Sequence, residues 1–216
     1  DITVSEMISS YALNYSTAKM LKMIAKSPAE SPFSVQISGN KIEVIRQSVE
    51  ILNKQDGIDI IDLNCGCPAP KVSSHGNGSG LLKDLNLLVQ LVRTIKETSN
   101  KPYTSLKVRL GFDKKIPLEL AHAINDSGAD FVVAHGRTKV DAYKKDRIDY
   151  NAIALIRKNI RIPLIANGEI DSYQKAKEVL AITGANGLMI GRAALKTPWI
   201  FYQLKNNEAN PPNLIK

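Results

Sequence analysis

The sequence has only two cysteines, Cys65 and Cys67, and a single residue separates them. A disulfide bond across so short a span would be badly strained. Two cysteines and three histidines also lack the spacing of a four-ligand zinc site. The sequence therefore excludes a disulfide framework, offers no metal site, and predicts a cytoplasmic protein with at least one free thiol.

Long hydrophobic runs are missing as well, and no apolar stretch approaches the ~18 residues that a transmembrane helix needs. The first residue is Asp1, and no basic-then-apolar leader follows it, so we expect neither a membrane span nor export. The 13 glycines and 10 prolines are too few for a low-complexity chain. With 44% hydrophobic residues, we expect one soluble globular domain over residues 1–216, and a monomer.

Acidic residues are fewer than basic ones: the sequence has 21 aspartates and glutamates but 29 lysines and arginines, which gives a formal net charge of +8. A basic surface favours polyanionic partners such as nucleic acid or phosphorylated ligands. The excess is concentrated in residues 135–161, which include Lys144, Lys145 and Arg147. The alternative interpretation of this stretch is a solvated face without a partner.

Short apolar, β-branched runs alternate with amphipathic stretches along the chain. The amphipathic stretches predict helices over residues 41–53 and 85–96. Helix caps are predicted at Asp84, Asp149, Asp171 and Gly184. The seven predicted strands recur at roughly the 30-residue period of a βαβ unit. They are Thr3–Met7, Phe33–Ile37, Ile58–Leu63, Ser105–Val108, Phe131–Ala134, Pro163–Ala166 and Gly187–Ile190.

Polar residues follow nearly every predicted strand at its carboxyl end. They are Glu6, Gln36, Asn64, Lys107, Arg109, His135, Arg137, Asn167, Glu169, Gly191 and Arg192. An open doubly wound sheet gathers functional residues at one switch point, whereas a barrel collects them from all around its carboxyl-terminal mouth. A barrel usually has ~250 residues, so this chain is short by about one βα unit. We predict a (β/α)8 TIM barrel that lacks its first strand.

Glycine-containing turns follow the last two predicted strands, at Asn167-Gly168-Glu169 and at Gly191-Arg192. Glycine lets backbone N–H groups approach an anion, and arginine adds a bidentate charge. Barrels often bind phosphate in the loops after strands 7 and 8. The pair therefore predicts a ligand that carries phosphate, and the alternative is that both glycines are only turn residues.

The most distinctive segment is residues 62–68, which read Asp-Leu-Asn-Cys-Gly-Cys-Pro. Cys67 precedes a proline just beyond a buried strand, so its thiol can act as an acid or a nucleophile above the site. The alternative for Cys67 is a small hydrophobic turn residue. Cys65 lies closer to the strand, and we predict a structural role for it. A Gly-x-Gly-x-Gly segment follows at 76–80 and is weak evidence by itself.

Taken together, these blocks resemble the tRNA-dihydrouridine synthases, FMN-dependent barrel enzymes that reduce uridines in tRNA. The Asn-x-Gly-Cys-Pro block at 64–68 and the His-Gly-Arg-Thr block at 135–138 carry the resemblance most specifically. It extends from about Val4 to Phe201. The family has, in addition, an earlier strand with an Ala-Pro-Met-type loop and a C-terminal helical domain, which this sequence does not contain. It also has Asp more often than Glu at the position of Glu169.

The resemblance implies a role for each site residue. FMN would deliver a hydride to C6 of uracil, NADPH or NADH would reduce the flavin again, and Cys67 would donate a proton to C5. The implied flavin contacts are Gln36, Lys107 and His135, with Asn167, Gly168, Glu169, Gly191 and Arg192 at the phosphate. Asn64 would bind the uracil edge, and Arg109 and Arg137 would contact the tRNA. The target base would have to leave its stack to reach the barrel.

Two other functions remain open at this point. One is an FMN barrel dehydrogenase that acts on a free pyrimidine, whose mouth would not need the basic stretch. The other is a non-catalytic fragment that binds RNA or phosphate, because the first strand is missing.

Overall fold

The computed structural model describes residues 1–210, so residues 211–216 of the predicted domain lie outside the described residues. The strands are β1 (Thr3–Val4), β2 (Ile8–Ser9), β3 (Phe33–Ser38), β4 (Ile60–Cys65), β5 (Tyr103–Arg109), β6 (Phe131–His135), β7 (Leu164–Asn167) and β8 (Gly187–Met189). The helices are α1 (Ser10–Tyr15), α2 (Thr17–Met23), α3 (Ile42–Asn53), α4 (Pro70–Ser73), α5 (Leu85–Thr98), α6 (Pro117–Ser127), α7 (Tyr150–Asn159), α8 (Tyr173–Thr183), α9 (Arg192–Lys196) and α10 (Ile200–Asn206). Short 3-10 helices cover Gly78–Lys83 and Lys145–Arg147.

All strand pairs are parallel and follow the order β1-β3-β4-β5-β6-β7-β8, with β2 also pairing with β3. From β2 onward, helices return the chain between successive strands, so the strands end at the same edge of the curled sheet. In the described part of the chain, no ladder joins β8 to β1 or β2. The prediction of a partial (β/α)8 barrel is confirmed.

Only β1 falls within the first predicted strand, Thr3–Met7; β2 begins one residue after the predicted end, and a bulge separates the two short strands. Thr3 pairs with Phe33, but Ile8 pairs with Ile37, so one extra residue lies on the edge strand between the two registers. The Ser5 hydroxyl replaces a backbone acceptor there and accepts the Gln36 N–H at 3.1 Å. The two short strands therefore occupy the single barrel position that the sequence predicts.

Helix starts follow the predicted caps with one exception. Asp84 and Asp149 accept hydrogen bonds from the Leu87 and Ala152 N–H groups. The cap of α8, however, is Ser172, whose Oγ accepts the Lys175 N–H at 3.1 Å, and the prediction of Asp171 is wrong. The helix begins one residue later than the sequence pattern suggested, which moves the capping position from Asp171 to its neighbour.

The core lies between the sheet and the helices and inside the curl of the sheet. Strands β3 and β4 are buried along their whole length, whereas β8 is only partly buried because no strand covers its outer edge. Within residues 1–210, none of the helices has the length and apolarity needed to cross a membrane.

Candidate functional site

A buried carboxylate, Asp62, lies at the centre of a polar network inside the barrel. Its Oδ2 accepts the Gln36 Nε2–H at 2.7 Å, and its Oδ1 accepts the Ser105 hydroxyl at 2.6 Å. The three residues are paired across β3, β4 and β5, which places their side chains at one level of the barrel. Burial raises the pKa of Asp62, while the hydrogen bonds from Ser105 and Gln36 and the charge of Lys107 act in the opposite direction.

Asn64 and Lys107 form the next level toward the mouth, because they are register partners two residues beyond Asp62 and Ser105. Asn64 donates from Nδ2 to Gln36 Oε1 at 2.7 Å. Burial lowers the pKa of Lys107, and the negative charge of Asp62 opposes this shift. Lys107 therefore lies one level above the Asp62 carboxylate, beside Asn64 and within the influence of the carboxylate charge.

The backbone of Cys67 is fixed from both sides. Asn64 Oδ1 accepts the N–H groups of Gly66 and Cys67 at 3.1 and 2.9 Å. The Cys67 carbonyl accepts the Ser79 N–H at 3.1 Å and the Ser79 hydroxyl at 2.8 Å. The loop after β4 is therefore held rigidly, while the Cys67 side chain remains half-buried.

The structure explains why residue 78 of the 76–80 segment is a glycine. Its φ is +54°, and a Cβ there would lie 3.0 Å from both Cys67 Cβ and Val72 Cγ1. The glycine segment thus packs under the Cys67 loop, and part of it forms the 3-10 helix Gly78–Lys83. Its role in the structure is support of Cys67.

Cys65 has a different environment from Cys67. It is fully buried in β4, and its thiol faces the Leu63 carbonyl at 3.7 Å. Burial, together with the negative charge of Asp62, raises the pKa of Cys65 well above its usual value. Cys65 is a packing residue that has no access to a ligand at the mouth.

The turns after β6, β7 and β8 meet at Glu169. Its Oε1 accepts a hydrogen bond from Arg137 Nη2 at 2.8 Å and another from Arg192 Nη2 at 2.7 Å. Arg192 is mostly exposed, whereas Arg137 has no exposed surface. Glu169 has a φ of +49°, and Gly168 before it has a φ of +123°, a conformation that favours glycine. A Cβ at Gly168 would also lie 2.4 Å from Ile148 Cδ1.

His135 lies among these cations and is neutral. Burial, followed by the charges of Arg109, Lys107, Arg137 and Arg192, lowers the pKa of His135 to about 2. Its Nδ1 is buried and has no hydrogen-bond partner in residues 1–210. The imidazole is thus available as a neutral hydrogen-bonding group and not as a proton donor at physiological pH.

The lowered pKa of His135 predicts a loss of stability in mild acid. In the unfolded chain the His135 imidazole binds a proton near pH 6.5, whereas in the folded chain it stays neutral at that pH. The free energy of unfolding therefore falls as the pH falls below 6.5. Replacing His135 by Asn removes this contribution, which amounts to about 1 kcal/mol between pH 7 and pH 5.5. Denaturant unfolding at both pH values measures it, with the exposed His122→Asn variant as control. An equal acid sensitivity of the native protein and His135→Asn would contradict the neutral assignment.

The structure places Arg109 and Arg137 differently from the resemblance, which assigned both to the substrate. Arg109 is 4% exposed, and it donates from Nε to the Gly66 carbonyl and from Nη1 to the Thr138 and Ala142 carbonyls. Arg137 donates from Nε to the Lys144 carbonyl at 2.7 Å. Buried guanidinium groups with backbone partners hold loops together, and in this conformation neither one presents a surface to RNA.

The basic stretch 135–161 is divided by the fold. Lys144, Lys145 and Arg147 follow β6 at the carboxyl edge and are exposed. Helix α7 then carries the chain to the opposite edge, where Lys158 and Arg161 precede β7. Only the first group lies at the mouth, so the charge of the stretch is not one patch.

Two more lysines extend the basic rim. Lys83 and Lys139 approach the ring of Phe112, with Nζ at 4.0 and 4.9 Å from the ring centroid. Arg109 lies 5.9 Å from the ring of the exposed Tyr143. The rim beside β5 and β6 thus combines cations with aromatic rings, a combination found in nucleic-acid-binding surfaces.

A family model described as Dihydrouridine synthase (Dus) matches residues 1–216, the whole chain. The chain belongs to the dihydrouridine synthase family. A probable tRNA-dihydrouridine synthase from Helicobacter pylori strain 26695 is 59% identical over 216 residues, which are 100% of this chain and 66% of that protein. The tRNA-dihydrouridine synthase B of Pseudomonas syringae pv. tomato is 39% identical over 95% of this chain and 60% of its own length. The chain thus spans about two thirds of these relatives.

Solved structures of low sequence identity share the fold of this chain. A structure of DHODH from Eimeria tenella in complex with ferulenol has a TM-score of 0.61 at 13% identity, over 91% of this chain and 63% of that one. The old yellow enzyme from Trypanosoma cruzi has a TM-score of 0.54 at 11% identity, over 80% and 50%. At such low identity, both similarities concern the fold alone.

The fold brings together most of the site residues that the sequence predicts for a synthase. One group is Gln36, Asn64, Cys67 and Lys107, and the other is His135, Glu169 and Arg192. Asn167 lies beside the second group and donates from Nδ2 to the Met189 carbonyl at 2.8 Å, which links β7 to β8. Asp62 and Ser105 were missed. Asp62 lies two residues before Asn64, and this spacing was the available signal, because alternate residues of a strand share a face.

Proposed function

We propose that the protein containing this chain reduces uridine in tRNA to 5,6-dihydrouridine. The observation that carries the proposal is the rigidly held Cys67 loop above Lys107 and Asn64, in a chain of the dihydrouridine synthase family. The family favours this reaction over the oxidation or reduction of a free pyrimidine. The exposed lysines on the rim support tRNA as the substrate, and we further propose a monomer in the cytoplasm.

FMN fits the residues at the mouth. His135 Nδ1 is buried and without a partner in the described residues, as a group that awaits a polar ligand would be. Apart from its two chain neighbours, no described residue has a heavy atom within 4 Å of the position of a Cβ at Gly191, so that turn leaves room beside Arg192. We assign the flavin ring to Gln36, Lys107 and His135, and the phosphate to the segment 167–169 with Gly191 and Arg192.

FMN held by these residues would supply the hydride for C6 of the uracil, with NADPH or NADH as its source. The residues of this chain supply the remaining functions. Cys67 donates a proton to C5, so that one hydride and one proton saturate the double bond. Asn64 Oδ1 already accepts from two backbone N–H groups, and one Nδ2–H donates to Gln36. The second Nδ2–H is therefore the group of Asn64 that can donate to a uracil carbonyl. Arg109 keeps the loops after β4 and β6 in place around the base.

The test of the proposed function uses the full-length protein. We expect a yellow protein with a flavin spectrum that forms dihydrouridine in unmodified tRNA when NADPH or NADH is supplied. Activity on free uracil or dihydroorotate without activity on tRNA would favour the dehydrogenase alternative. A colourless protein that still shifts tRNA on a gel would favour a non-catalytic RNA-binding protein.

Binding of tRNA is predicted to depend on the exposed rim cations. Replacing Lys144, Lys145 and Arg147 by Ala in the full-length protein should weaken tRNA affinity and reduce the slope of log K against log salt. The expected reduction is about one unit per lost phosphate contact. Titrations at several salt concentrations measure the slope.

The matched control removes three exposed cations at the opposite edge of the barrel, Lys54, Lys158 and Arg161. The control variant has the same net charge as the rim variant and should keep the native slope. Equal slopes for the two variants would show that the rim residues are a solvated face.

A further inference from the structure

We propose that Asp62 is a positioning residue, which fixes the Cys67 loop through the side-chain amides of Gln36 and Asn64. The inference rests on the proposed function, because Cys67 is the proposed proton donor. None of the roles implied by the family resemblance involves Asp62, and its side chain is 4% exposed. It is therefore placed to act on the reaction only through its neighbours.

The hydrogen bonds form a directional series, which we call the amide relay: Asp62, Gln36, Asn64 and the N–H groups of Gly66 and Cys67. Asp62 Oδ2 accepts from Gln36 Nε2, so Gln36 must direct Oε1 toward Asn64. Gln36 Oε1 accepts from Asn64 Nδ2, so Asn64 must direct Oδ1 toward the loop. That oxygen accepts from the two backbone N–H groups.

Both ends of the amide relay require the same orientation. A backbone N–H can only donate, and a carboxylate can only accept, so neither carboxamide can flip without losing hydrogen bonds on both sides. All distances in the series lie between 2.7 and 3.1 Å. A series of hydrogen bonds of this kind fixes the position of one group relative to another. Here the amide relay connects the middle of β4 to the loop that carries Cys67.

The other oxygen of Asp62 allows a matched control. Ser105 donates to Oδ1 at 2.6 Å and does not belong to the amide relay. Ser105→Ala therefore disturbs the same carboxylate while leaving the series intact. Lys107 provides the competing explanation, in which Asp62 acts only as the counter-charge of this buried side chain. Asp62→Asn separates the two, since asparagine keeps an acceptor for Gln36 but lacks the charge.

The first measurement is hydrogen exchange of the Gly66 and Cys67 amides in the full-length protein, which does not depend on activity. In Asp62→Leu, Gln36 loses its acceptor, and we expect exchange at both amides to be about five- to tenfold faster. Ser105→Ala should exchange at the native rate, and Asp62→Asn should recover most of the protection. Native exchange in Asp62→Leu would overturn the amide relay, whether or not the protein acts on tRNA.

The second measurement is the reoxidation of the reduced flavin by unmodified tRNA. Asp62→Leu should slow it about 10- to 100-fold, while tRNA affinity and flavin reduction by NADPH change less than about threefold. Asp62→Asn should restore most of the rate, and if it is as slow as Asp62→Leu, the charge explanation replaces the amide relay. If Asp62→Leu does not fold, Gln36→Met interrupts the same series, and native exchange at Gly66 and Cys67 in that variant overturns the inference.

Discussion

Cys67→Ala is expected to keep FMN and its reduction by NADPH, but to slow reoxidation of the flavin by tRNA by about 10²–10⁴-fold. This range is the usual contribution of a positioned general acid. The thiol is needed only when uracil accepts the hydride, since protonation of C5 belongs to that step. Rapid mixing of the reduced full-length protein with unmodified tRNA measures the rate directly.

Cys65→Ala is the matched control for this prediction. Its thiol is buried in β4, and burial raises the pKa of Cys65, so it can neither reach the base nor release a proton readily. We expect a modest loss of packing and a nearly native rate of reoxidation. If Cys65→Ala were severely slowed and Cys67→Ala were native, the acid would be assigned to the wrong cysteine.

Arg192→Ala is expected to raise the Kd for FMN about ten- to a hundredfold. A charge-assisted hydrogen bond to a phosphate contributes roughly 1.5–3 kcal/mol, and every 1.4 kcal/mol changes Kd tenfold. In the structure the guanidinium of Arg192 is mostly exposed and is held by Glu169, so it is both accessible and oriented. Fluorescence titration of the FMN-free full-length protein measures the affinity.

Two variants accompany the Arg192 experiment. Arg192→Lys keeps the charge but loses the bidentate geometry, so we expect an intermediate affinity. Lys196→Ala removes an exposed cation from the same helix, α9, and should bind FMN like the native protein. An unchanged Kd in Arg192→Ala would move the phosphate away from the turns after β7 and β8.

The predictions from sequence were most reliable where a local pattern determines the structure. The predicted strands at 33–37 and 131–134 became β3 and β6 almost unchanged. Residues 131–134 are apolar throughout, as a strand with both faces covered requires. Asp84 and Asp149 became helix caps because capping involves only the next three residues. The bulge between β1 and β2 was not predictable, since it depends on the register against β3.

The contacts of long polar side chains depended on distant parts of the chain. The resemblance assigned Arg137 to the tRNA, yet the side chain is fully buried and donates to the carbonyl of Lys144. The basic residues of 135–161 form one run in the sequence, but α7 carries Arg157, Lys158 and Arg161 toward the other end of the barrel. In both cases the path of the chain after β6 decided which side chains share a surface.

The sequence by itself determined the repeating strand and helix pattern, the barrel, and the residues that follow each strand, since these depend on local periodicity and on motifs. Only the tertiary structure decided how those residues act together. Asp62, Gln36 and Asn64 lie on two neighbouring strands, and the parallel register places their side chains at adjacent levels. The physical reason is that hydrogen bonds between side chains need a separation of about 3 Å, and only the pairing of strands brings residues 26 and 28 positions apart in sequence to that distance.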